Sequence, residues 1–188
     1  MMRIFLLLLS FSVFAQDANK TVVQVLARMN KVRDYQVDAQ IKSDIPLVRI
    51  MPAKATIYFK QPEKFRMITK GIAILPKKGF TDLTALLRDK SAYNALFTGF
   101  EVINGVKSES ITLLPTDDSG EIVLAKIWVD PSADVILKSQ ITSRTNGTVL
   151  STYVYGAEKA FGLPSEMNIT VDVKKFKIPK GVVVDINR

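Results

Sequence analysis

The 188-residue sequence contains no cysteine and no histidine. Without cysteine there is no disulfide framework, no thiolate metal site and no lipobox for N-terminal lipidation, so packing and strand pairing must hold the chain together. Without histidine, the commonest general base and the commonest metal ligand are both missing. Ser-x-x-Lys, Gly-x-Ser-x-Gly and Gly-rich phosphate-cradling strings are absent as well. The carboxylates of Glu101, Glu109, Asp117, Asp118 and Glu121 lack a fixed partner spacing and read as residues of turns and polar strand faces. This alphabet suits a binder rather than an enzyme, and it implies no cofactor and no metal.

Long apolar runs are equally scarce. The one from Ile4 to Phe14 is interrupted only by Ser10 and Ser12, follows Met-Met-Arg, and closes on Val13-Phe14-Ala15. It is well short of the roughly 20 residues that cross a bilayer as a helix. Residues 1–15 therefore read as an export signal cleaved after Ala15, which leaves 16–188 as one continuous domain without a lipid anchor. Lys and Arg total 26 against 18 Asp and Glu, a net charge of +8. The cations are scattered, with one local run at Lys174, Lys175, Lys177 and Lys180. Export argues against nucleic acid as the partner and leaves anionic lipid head groups or acidic proteins.

From about Asn19 to Arg33, Val22, Val25, Leu26, Met29 and Val32 recur at intervals of three and four, so one stripe of a helix faces a core. Then the period changes to two. Tyr35, Val37, Ala39 and Ile41 alternate with polar residues, as do Ala53, Ala55, Ile57 and Phe59, then Phe65 and Met67, and later Met167, Ile169, Val171 and Val173. Asn104-Gly105 and Asn146-Gly147 supply the positive φ angles of tight hairpins. With turns at Asp117-Asp118-Ser119-Gly120 and Pro131-Ser132-Ala133-Asp134, residues 99–155 read as a meander of about five strands. In the strand at 121–129, Val123, Ala125, Ile127 and Val129 fill one face and Ile122, Leu124 and Trp128 the other, the pattern of a strand covered on both sides. Between Gly79 and Gly99, Leu83, Leu86, Leu87, Tyr93, Leu96 and Phe97 have helical spacing, with Thr81 or Asp82 as cap. The expected class is α+β: roughly ten strands in one strongly curved antiparallel sheet, its concave face packed on helices.

Within that frame, Lys60-Gln61-Pro62-Glu63-Lys64-Phe65-Arg66 forms a Lys-x-Pro-x-x-Phe turn after one helix and two strands. Gly105-Val106-Lys107, Leu113-Leu114-Pro115, Ile127-Trp128-Val129-Asp130 and Gly162-Leu163-Pro164 follow in order. Behind an export signal, this set of short strings resembles the outer-membrane lipoprotein carrier and sorting proteins, the LolA/LolB superfamily. The resemblance covers most of residues 16–188 and implies a half-open β-barrel with an inserted helical lid, sheltering lipoprotein acyl chains or a related lipid in an apolar hollow. It places the protein in the bacterial periplasm. Phe65 falls on the family's aromatic position after the proline turn and would line the hollow. The family carrier often has arginine directly before that proline, where this chain has Gln61. The Asp-Gly hairpin with a following Trp or Tyr that the family often places after its third strand is missing, as expected of a divergent relative.

The candidate cavity residues are Ile57, Phe59, Phe65 and Met67 from the sheet, with Leu83, Leu86, Leu87 and Phe97 from the inserted segment. Ile74 and Leu75, in an apolar run that ends on Lys77 and Lys78, mark a loop for a membrane surface or acceptor protein. The functional expectation is a monomeric periplasmic carrier that transfers acyl cargo without catalysis. The competing expectation is an interaction or sensor module on the same curved sheet, without lipid transport.

Overall fold

The computed structural model describes residues 17–44, 50–62, 64–73, 80–145 and 147–172, except for the side chains of 80–82. The export signal and the Ile74, Leu75 loop lie outside the described residues. Helix α1, Ala18–Met29, is capped by Asp17, whose carboxylate accepts from the backbone N–H groups of Asn19 and Lys20. Its buried stripe of Ala18, Val22, Val25 and Leu26 follows the helical period, and the helix ends earlier than the apolar spacing suggests, at Asn30. Strands β1 (Asp34–Ile41), β2 (Ala53–Lys60) and β3 (Lys64–Lys70) come next, then α2 (Phe80–Arg88). Six further strands complete the order: β4 (Tyr93–Ile103), β5 (Val106–Pro115), β6 (Ile122–Asp130), β7 (Val135–Ser143), β8 (Gly147–Val154) and β9 (Glu166–Asp172).

All described pairings are antiparallel, but they form two open sheets, β1-β2-β3 and β4-β5-β6-β7-β8-β9, rather than the single curved sheet expected. The chain passes from β3 to β4 through α2, and these two strands share no ladder. The inserted helix is shorter than the apolar spacing predicts. Helix α2 ends at Arg88, and Tyr93, Leu96 and Phe97 belong to strand β4. Tyr93 and Phe97 stand four apart, which suits a helix, but with Ala95 between them they also line one face of a strand, and pairing with β5 decides the outcome.

The main core lies between the two helices and the six-stranded sheet. Val22, Val25 and Leu26 meet Leu83, Leu86 and Leu87 over Ile111, Leu113, Ala125, Ile127 and Val129. Arg28 fastens α1 to the far end of this sheet, donating to the Ala160 carbonyl at 2.9 Å and pairing with Asp134 at 3.6 Å. Asn104 and Gly105 adopt φ of 50° and 79°, giving the tight β4–β5 hairpin that Asn-Gly requires.

Candidate functional site

The strand period sorts each residue of the small sheet to one of two faces. On the inner face, register aligns Tyr35, Phe59 and Phe65 in one row across β1, β2 and β3, and Val37, Ile57 and Met67 in the next. The four sheet residues singled out from sequence thus form one contiguous patch of two cross-strand pairs. Tyr35 stacks on Phe59 with ring centroids 5.2 Å apart, and burial pushes its phenol pKa above the usual value. Beyond them the inner face continues with Ala39 opposite Ala55, and Ala53 and Ala55 are buried.

This apolar wall is not used up by the core. Phe65 is 49% exposed and Val37 45%, while Ile57, Phe59 and Met67 are half-buried. An open depression of about 740 Å³ adjoins it, with Tyr35, Phe59 and Phe65 in its lining and Lys60, Lys64 and Arg66 beside them. Residues of both sheet faces contribute, so it is a surface hollow at the Gln61–Pro62 end of the sheet. A crevice between α1 and the β6–β7 turn, lined in part by Val25, Met29, Ile136 and Tyr153, measures only about 20 Å³, room for about one water and not for an acyl chain.

The other candidates lie apart from this wall. Leu83, Leu86 and Leu87 are buried in the main core, and Phe97 packs against that core from β4, edge-on to Phe100 at 5.2 Å between centroids. Sequence reasoning left Tyr35 and Val37 out of the site, although their alternation with Gln36 and Asp38 already put them on the apolar side. It also placed Glu109 on a polar face. Glu109 instead shares the inner face of β5 with Ile111 and Leu113, is buried, and accepts a hydrogen bond from the Thr21 hydroxyl at 2.7 Å.

The two helices are tied to the small sheet at its β2–β3 turn. Gln61 donates to carbonyl oxygens at the end of α1, and Arg88, in the last turn of α2, donates to the Pro62 carbonyl. Among the described residues no group of three or more acidic side chains is placed to hold a metal ion, and no helix is long and apolar enough to cross a membrane.

This architecture has solved counterparts. A domain described as an outer-membrane lipoprotein-sorting protein from Vibrio parahaemolyticus matches 88% of this chain and 94% of its own at TM-score 0.50 and 11% identity. A LolA superfamily protein from Nitrosomonas europaea matches 81% of this chain and 86% of its own at TM-score 0.52 and 14% identity. The fold is that of the LolA superfamily. No family model matches the sequence, and neither does any curated protein sequence. At these identities the shared property is the LolA-like fold.

Proposed function

We propose that this LolA-like protein is a periplasmic carrier that shelters lipoprotein acyl chains, or those of a related lipid, against the inner face of the β1–β3 sheet. The observation that carries the reading is the division of apolar surface: the folding core is built on the large sheet, while the small sheet holds Phe65 and Val37 half in water beside Ile57, Phe59 and Met67. Each methylene moved from water onto such a wall is worth about 0.8 kcal/mol, so a few acyl segments bind tightly without any covalent step. Release needs only a competing apolar site. Leu83, Leu86, Leu87 and Phe97 would join the cargo site if α2 moves off the core, which is the sense in which α2 is a lid. The lipoprotein-sorting description of the Vibrio domain agrees with this cargo class.

The reading includes export, cleavage after Ala15 and a monomeric, unlipidated product. Its test is an organic extract of protein purified without detergent, compared by mass spectrometry with the Phe65→Glu variant. Acyl species present in the wild type and lost in the variant are expected. Clean extracts from both would favour the interaction or sensor module.

A further inference from the structure

The outer face of the β1–β3 sheet carries a charge pattern that works against folding. Its rungs across the three strands are Asp34, Lys60 and Lys64; Gln36, Tyr58 and Arg66; Asp38, Thr56 and Ile68; and Gln40, Lys54 and Lys70. Two rungs set lysine directly opposite lysine, which destabilises a strand pair. All five cations are exposed, and none forms a salt bridge with another described residue. Of the two acids on this face, Asp38 accepts a hydrogen bond from the Thr56 hydroxyl at 2.8 Å. Lysine on an edge strand guards against edge-to-edge pairing, which accounts for Lys64 and Lys70 on β3. It does not account for Lys54, because β2 is the central strand and Lys54 faces Gln40 and Lys70, whereas Lys60 has Asp34 opposite it on β1.

Apolar groups are interleaved with these charges. Tyr58 and Ile68 are exposed on the same face. At the end where Lys54 meets Lys70, Met51 just before β2 and Ile72 just after β3 are 73% and 71% exposed. An acidic chain without apolar groups would answer the cations alone. A bilayer answers both, offering anionic head groups at its surface and an acyl boundary about 5–10 Å deeper. We propose that this face docks the protein on an anionic membrane surface, its lysines and Arg66 against lipid phosphates and Tyr58, Ile68, Met51 and Ile72 at the interface. Strand alternation keeps the Phe65 wall on the opposite side, so docking does not depend on what that wall carries.

The experiment is co-sedimentation of the protein, purified after export, with vesicles of phosphatidylcholine with and without phosphatidylglycerol, at low and high salt. Wild type is expected to bind only the phosphatidylglycerol vesicles and to be released by salt. Replacing Lys54→Gln and Lys70→Gln together should weaken that binding about thirtyfold, with a melting temperature no lower than wild type because a repulsive rung is gone. A Lys20→Gln, Lys31→Gln variant of equal net charge, changed at exposed positions of and beside α1, should bind as wild type does. Equal losses in both variants would reduce the effect to net charge and overturn the proposal. So would wild-type binding to immobilised polyglutamate with none to the anionic vesicles.

Discussion

Gln61 holds Val32: its side-chain amide donates to the Val32 carbonyl at 2.8 Å and to the Asn30 carbonyl at 3.0 Å, while its backbone N–H donates to Arg33 at 2.8 Å. A turn of the small sheet therefore satisfies carbonyls just past the end of α1, which the helix leaves without intrahelical partners. Arg88 reaches the carbonyl of the next residue, Pro62, from the end of α2. Both helices and the small sheet meet at these two adjacent turn residues. This is a different use of the position from the cation that the family resemblance would have placed there.

The first prediction concerns this junction. Gln61→Leu keeps the side-chain bulk and removes both donors, one of them to a part-buried carbonyl. A loss of about 1–3 kcal/mol is expected, read as a lower urea midpoint at unchanged slope. Gln61→Glu should not rescue it, because a carboxylate has no proton to give to a carbonyl.

A second prediction separates wall from core. Leu87 is fully buried among α1 and large-sheet residues, so Leu87→Ala should cost about 2–5 kcal/mol. Phe65→Ala, at a half-exposed position, should fall well below that range. Thermal melts of the two variants decide the matter. Comparable losses would mean that the Phe65 face is ordinary core.

How far the sequence revealed this molecule depends on which physical signal was local. The alternation in β1, β2 and β3 placed Ile57, Phe59, Phe65 and Met67 on one face before any pairing was known, and Asn104-Gly105 dictated its own hairpin. Pairing partners were not legible. Periodicity tells which face a side chain takes but not which strands share hydrogen bonds, so the break between β3 and β4 was invisible. Val123 was read with the core face of β6, but the register slips between Ile122 and Leu124 and leaves it exposed. Trp128 suggested a second covering layer. It is buried instead between two lysines, with Lys126 and Lys138 ammonium groups 4.6 and 4.4 Å from its ring. Lys126 is in turn held by Glu101 at 2.9 Å.

The third prediction tests the buried link between α1 and β5. The Thr21 hydroxyl donates to Glu109 at 2.7 Å in the interior. Thr21→Val conserves volume and removes that donor, leaving a buried carboxylate one hydrogen bond short. A loss of about 1.5–3 kcal/mol is expected, as for hydrogen bonds to charged groups. A double-mutant cycle with Glu109→Leu, which removes the acceptor, should show coupling between the two positions. Additive losses would mean that the contact contributes nothing specific.

The fourth prediction is a pH dependence at Asp130, which ends β6 and is buried. Burial by itself raises its pKa, but the side-chain and backbone hydrogen bonds from Ser132 and the bond from Lys159 at 3.0 Å outweigh it, and the carboxyl sits below its ordinary value. A carboxylate depressed in the folded state binds its proton more readily when unfolded. Its contribution is therefore complete above the unfolded pKa near 4 and is lost as pH falls through the lower folded value. Lys159 belongs to the 3₁₀ turn Ala157–Phe161, so the same ion pair pins that turn to the large sheet. Asp130→Asn should be less stable than wild type at pH 7, and the gap should close on acidification below about pH 4. Urea titrations of both proteins across that range provide the check. A gap that stays constant down to the acid end would mean that Asp130 acts through its shape and turn hydrogen bonds rather than its charge.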